Sequence, residues 1–320
     1  MNIKEMFKKN RILRTIVKRV KNYREFMFDA KDFSDNYEEV AEQHRDFRYR
    51  LLLYVHNIEK GMSRIEPRPF GEDKVKTIIT ILKQATKKEF DQYEYKLAIA
   101  ALKSWLKFFK DKGWEVGEVE KEYINNLKEV ELQVGVEILK KDEIKKESFN
   151  DVVFTRRSVR DFSESPLKQE DIDYAINCFI AAPTACNRQM CKIYRIKKEE
   201  HKQLLAETIL GIGGFNLDVT NLFIITYDVS SLEFYGERNQ GYLNAGLTAM
   251  SFAYGLHSRG IGSCFMQWSN KRSDDIFVRN KLGLPKTERI GIILGAGYYK
   301  NETKIPCSTR RDKDSVYTVI

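Results

Sequence analysis

The sequence predicts two regions: an all-helical stretch over residues 1–148 and a mixed layer of helices and strands over 149–320. Three observations carry this. Strand-like apolar runs occur only late, at Cys191–Ile196, Leu222–Tyr227, Gly262–Met266 and Ile290–Ala296. Segments with helical spacing of apolar residues separate them, at Lys168–Ala181, Gln240–Arg259 and Asp274–Leu282. Ahead of them, Lys140–Lys146 is charged and has no apolar face, which places a boundary near residue 148.

Taken in order, residues 1–24 place Ile3, Met6, Phe7, Ile12, Leu13, Ile16, Val17 and Val20 at helical spacing opposite a Lys/Arg face. Such a basic amphipathic helix lies on an anionic membrane, docks on a partner, or packs on a core with its charged side in water. This segment holds nine basic residues and one acid, Glu5, so 9 − 1 = +8 of the chain's net charge of +9 resides there. The remaining chain is nearly neutral, which argues against nucleic acid as a partner. Tyr49–Lys60 reads as a helix stopped by Gly61, with His56, Glu59 and Lys60 on one face as a structural network or an ion-pair site. Arg64–Gly71, with Pro67 and Pro69, reads as a break, and Val75–Leu106 as renewed helix.

With 320 residues, 42% of them hydrophobic, and a mean hydropathy of −0.49, the composition is that of a globular protein. No apolar run approaches the ~20 residues of a membrane span. Lys or Arg interrupts the N-terminus too often for a signal peptide, so a cytoplasmic location is expected, with the inner membrane face as a peripheral alternative. Cys178, Cys186, Cys191, Cys264 and Cys307 form no C-x-x-C pair and no metal-ligand spacing with the four histidines. Reduced thiols and no metal are expected.

Four motifs carry chemistry. Thr155-Arg156-Arg157-Ser158-Val159-Arg160-Asp161-Phe162 packs three guanidinium forks and a hydroxyl into five residues. It reads either as a solvated basic loop or as a phosphate cradle. Ala181–Gln189 (A-A-P-T-A-C-N-R-Q) is a tight loop rich in hydrogen-bonding groups, an ordinary turn or a seat for a heteroaromatic edge. Gly241–Trp268 combines a helix of small residues (Ala245, Gly246, Ala249, Ser251, Ala253), read as a subunit interface, with a Gly260-Ile261-Gly262 turn open to a ligand. Gly295-Ala296-Gly297-Tyr298 is followed by Ser308-Thr309-Arg310-Arg311, a late cationic group.

In this order, R-R-S-V-R-D-F, A-P-T-A-C-N-R-Q, G-L-H-S-R-G-I-G-S-C-F and a terminal arginine, residues 152–320 resemble the nitroreductase family of flavin mononucleotide enzymes. The resemblance implies an α+β sandwich, an obligate homodimer, and FMN sites at the dimer interface. By the same resemblance Arg156, Arg157, Ser158 and Arg160 hold the FMN phosphate and ribityl chain, completed by Arg310, with Arg311 adjacent. Pro183, Thr184, Ala185 and Asn187 match a loop that contacts flavin from the partner subunit. Gln267 and Trp268 match the donors to flavin N5, and Asn216 an amide at the pyrimidine edge. Met190 and Cys191 depart from the proline and aromatic residue usual after the loop, a change at the pocket and not at the phosphate.

The implied activity is an NAD(P)H oxidoreductase with a quinone, nitroaromatic or other small organic acceptor and a ping-pong cycle. The flavin carries the chemistry, so no catalytic side chain is expected. The alternatives are a flavin-binding accessory protein of a membrane-associated assembly and a specialist flavin dehydrogenase or dehalogenase.

Overall fold

Asn221–Asp228 (β2) is apolar on both faces and buried from Leu222 to Asp228, as a central strand requires. It pairs antiparallel with Cys191–Ile196 (β1) on one side and Glu288–Tyr298 (β4) on the other. Ile261–Met266 (β3) pairs antiparallel with β4, giving one four-stranded sheet in the order β1-β2-β4-β3. The register slips between Ile225 and Thr226, where Gly291 bulges because a Cβ there would stand 2.6 Å from that of Ala245. The computed structural model describes residues 11–37, 43, 46–62, 67–132, 134–136, 149–209, 212, 215–301, 313–314 and 316–320, without the side chains of Asn22, Lys60 and Tyr235.

The period-two alternation of β2 sends its residues to two cores. Phe223, Ile225 and Tyr227 pack with Leu294 and Ala296 beneath the helices Gln169–Ala181 and Gln240–Ser258. Leu222 and Ile224 face Leu205, Val278, Ile290 and Ile293, under Glu199–Thr208 and Arg272–Leu282. The C-terminal unit is therefore an α+β sandwich, with a helical layer on each face of an antiparallel sheet.

In chain order the helices are α1 (Arg11–Ser34), α2 (Arg48–Met62), α3 (Glu72–Gln84), α4 (Lys87–Phe90), α5 (Tyr93–Asp111), α6 (Glu118–Asn126), α7 (Phe149–Thr155), α8 (Gln169–Ala181), α9 (Glu199–Thr208), α10 (Gln240–Ser258) and α11 (Arg272–Leu282). Helices α2, α3 and α5 share one apolar cluster with α8, α10 and β2. A buried bond from the Tyr49 hydroxyl to Asp228 Oδ2, 3.1 Å, ties α2 to the end of β2.

Four sequence expectations change here. Gly61 lies inside α2, which runs on to Met62, because the Phe70 ring packs where a Cβ would stand. The span Val75–Leu106 is not one helix: it breaks at Ala85, and Thr86 and Glu89 form a reciprocal capping box that starts α4. The basic N-terminal helix continues to Ser34. Ala245, Ala249 and Ala253 of α10 face inward, which corrects their reading as an interface, and Gly255 packs with them against the Ala175 Cα. On the outward face of α10, Tyr242, Leu243 and Leu247 are exposed and Gly246 has open space beside it.

Of the face His56–Glu59–Lys60, Glu59 accepts the Gly135 N–H at 3.3 Å, a structural contact, and the Lys60 side chain lies outside the described residues. So do residues 1–10, the boundary near 148, Cys307 and the segment Ser308–Arg311. No helix among the described residues is long and apolar enough to cross a membrane.

Candidate functional site

Helix α7 ends at Thr155, and the basic motif continues as extended chain along the outer edge of β3. Ser158 bridges Ser263, the Val159 N–H donates to Ser263 O at 3.0 Å, and the Ser163 N–H donates to Tyr298 O at 3.0 Å. Val159 and Phe162 anchor the segment in the core, Phe162 lying over Gly297 where a Cβ would come within 2.5 Å of it. Burying these two apolar residues leaves the polar residues between them against the sheet edge.

Arg156 and Arg160 are half-buried, and neither guanidinium has a hydrogen bond or ion pair among the described residues. Their charges are felt at β3. Burial raises the Cys264 thiol above its ordinary range, while Arg160, the Ser158 hydroxyl and Arg156 pull it down. Arg157 turns away, its Nη1 donating to Phe154 O at 2.6 Å and Arg156 O at 3.0 Å. Half-buried cations without counter-charges form a seat for an anion.

Beside this seat lies a network that the sequence reading quoted within a motif but did not single out. His257, at the end of α10, meets Thr155 Oγ1 through Nε2 at 2.7 Å and the Tyr299 hydroxyl through Nδ1 at 2.8 Å. Thr155 spends its one hydroxyl proton on Asp151 O, so Nε2 donates to Thr155 and Nδ1 accepts from Tyr299. Burial, then Arg156 and Arg157, hold His257 below the usual imidazole value.

The loop after α8 has a different construction. Cys186, Asn187 and Gln189 take φ of 51°, 52° and 49°, three left-handed residues within four positions and none of them glycine. The fully buried Arg188 overrides that strain. Its fork donates to Glu237 at 2.7 and 2.8 Å, and it also reaches Ser231 O at 2.6 Å and Ala185 O at 3.2 Å. Burial raises the Glu237 carboxyl, but the Arg188 bonds outweigh it and hold the group below its ordinary value. Asn244 Oδ1 accepts the Ala185 N–H at 2.8 Å, Thr184 Oγ1 accepts the Gln189 N–H at 3.0 Å, and α2 packs behind the turn. Pro183 and Asn187 are left exposed. Arg188 and Asn244 stand inside motifs without having been singled out, and Glu237, the partner of Arg188, lies 49 positions on and in no motif.

Three further predicted residues sit on the cradle's side of the sheet. Trp268 follows β3, with its indole N–H donating to Asp275 Oδ1 at 2.9 Å, and Gln267 beside it is exposed. Asn216 is exposed in the turn before β2 and accepts the Asp218 N–H at 3.1 Å, while its neighbour Phe215 stacks near Phe162. In the Gly260–Gly262 turn a Cβ at Gly262 would meet Val159 and Tyr299, so that glycine serves close packing inside the chain, while Gly260 has open space beside it.

Within one chain the two motifs stay apart. Ser158 lies on the β3 edge level with Ala296, and the Thr184–Gln189 loop precedes β1 level with Arg289. Four strand spacings across and, allowing for the bulge at Gly291, six steps along put them at least roughly 25 Å apart.

Residues 153–213 and 227–298 match the model of the nitroreductase family. The match covers less than half of this chain, and over it the C-terminal unit is similar to that family. Solved structures resemble it over the same half. An FMN-dependent nitroreductase from Clostridium difficile is 21% identical, with a TM-score of 0.44, covering 52% of this chain and 96% of its own. A BluB-like flavoprotein, also from Clostridium difficile, is 20% identical, with a TM-score of 0.45, covering 53% and 98%. A nitroreductase family protein from Clostridium novyi NT is 16% identical, with a TM-score of 0.43, covering 48% and 86%. Among curated proteins no match is found.

Proposed function

We propose that this chain is an FMN-dependent oxidoreductase that works as a homodimer, taking hydride from NAD(P)H and passing it to a quinone, nitroaromatic or other small organic acceptor. The observation that supports it most is the pair of half-buried guanidiniums at Arg156 and Arg160, unpaired among the described residues, beside Ser158, a donor set suited to a phosphate monoester. Bound FMN supplies the redox chemistry at flavin N5, one substrate leaving before the next arrives.

The chain's own residues bind and orient. Arg156, Ser158 and Arg160 take the phosphate, Arg157 joins them by turning from Phe154 O, and Arg310 adds a further cation from outside the described residues. Gln267 and Trp268, about four residues further along β3, present backbone donors near the ring, and Asn216 offers its free Nδ2. Pro183, Thr184, Ala185 and Asn187 are too distant to reach the same flavin, so they serve the site of a second copy. The outward Tyr242, Leu243 and Leu247 of α10 give that copy an apolar face to bury.

The test is the absorption spectrum of the purified protein after incubation with FMN and gel filtration. Flavin bands that co-elute with a dimer and bleach on adding NAD(P)H are the expected result. A colourless protein that takes up no FMN overturns the proposal.

A further inference from the structure

Helix α1 is mounted with its polar side inward. It meets the body through Glu25, Phe28 and Asp32: the Arg272 N–H donates to Glu25 Oε2 at 3.2 Å, the Arg272 guanidinium lies 3.8 Å from the Phe28 ring centroid, and Asp32 pairs with Arg289. At 100° per residue, Ile12, Ile16, Val20, Tyr23, Phe26 and Met27 fall within an arc of about 120° on the other side. Ile12 is 71% exposed, Val20 60%, Tyr23 72%, Phe26 72% and Met27 69%. An ordinary surface helix turns such a stripe toward the core. Here the contacts that fix the helix hold the stripe outward along about 22 Å.

We propose that this stripe is a docking face for an anionic lipid surface. Charge selects that occupant. Arg19 falls within the arc of the stripe and Arg24 beside it, while Arg11, Arg14, Lys18 and Lys21 make the polar side basic, with no acid between Arg11 and Glu25. A second copy laid across a two-fold axis would bring two such cationic sets together, whereas acidic headgroups neutralise them. Aliphatic residues toward one end, with Tyr23 and Phe26 at the other, suit the boundary between acyl chains and headgroups. The hydrogen bond at Glu25 and the ion pair at Asp32 then fix how the body stands on the membrane, independently of whether flavin is bound.

The experiment is sedimentation of the full chain with vesicles of phosphatidylglycerol and phosphatidylcholine, against vesicles of phosphatidylcholine alone. Binding to the acidic vesicles that falls as salt is raised is the expected result. The double substitution Val20→Glu with Phe26→Glu is expected to lower partitioning at least about tenfold while thermal unfolding and flavin absorbance stay unchanged. Equal sedimentation of wild type and variant, or no sedimentation of wild type, overturns the proposal. So does a drop in solution mass in the variant, which would assign the stripe to a second copy.

Discussion

Arg156 is where one side chain is asked to do the most. Its guanidinium acts on β3 and the His257–Tyr299 pair with no carboxylate partner among the described residues, which leaves its charge for a ligand phosphate. Removing it in Arg156→Ala is expected to weaken FMN binding by about 1.5–3 kcal/mol, the worth of a charge-assisted hydrogen bond, measured by calorimetric titration. The same substitution is expected to raise the His257 pKa, followed through its imidazole proton resonances, because a neighbouring positive charge has gone. The pH dependence of stability follows in sign. His257 is held below its unfolded value near 6.5, so its contribution is complete above that pH and lost as pH falls through the lower folded value. Acidification is expected to lower the melting temperature, and His257→Gln is expected to shrink that drop. The motif R-R-S-V-R was legible as a cationic cluster, but not that Arg157 would turn back to Phe154 O. Spacing gives the charge count, while direction depends on where Val159 and Phe162 find a core.

Helix α10 separates two kinds of small residue. Gly255 meets the Ala175 Cα at 2.8 Å and Cys178 at 3.0 Å from its would-be Cβ, so α8 and α10 approach closely there. Gly255→Ala is expected to cost about 1–3 kcal/mol by overpacking, read from chemical denaturation. Gly246, with nothing beside it, is expected to accept Ala without that loss. On the outward face, Leu247→Glu is expected to convert the dimer to monomer in light scattering and to release flavin with it. The strands were legible because β2, β3 and β4 are apolar runs, and β1, Cys191–Ile196, begins and ends where the pattern does although Lys192 and Arg195 interrupt it. The break at Ala85 was not, because apolar spacing persists through it and only the Thr86–Glu89 cap marks it. Nor was the left-handed loop at 186–189, whose cause is a buried ion pair to Glu237, remote in sequence.

Across the whole molecule, the helical first half and the sheet half share one apolar cluster, and the Tyr49–Asp228 bond crosses it. Burial, then the Asp228 charge, push the Tyr49 phenol well above its ordinary value, which keeps it a donor. Tyr49→Phe leaves a buried carboxylate oxygen short of a partner and is expected to cost about 1–3 kcal/mol in one cooperative unfolding transition, followed by circular dichroism. The motif order predicted the fold of the second half but said nothing of this union, since no motif marks the surface where α2 meets the loop after α8. The spacing of roughly 25 Å between cradle and loop has a genetic consequence. A copy crippled in the cradle by Arg156→Ala and another crippled in the loop by Arg188→Ala are each defective as pure assemblies. If the proposed dimer forms, mixing them one to one is expected to give hybrids in which both lesions fall on a single pocket and the other pocket is wholly wild type. Colour and turnover should therefore return when two inactive preparations are unfolded and refolded together.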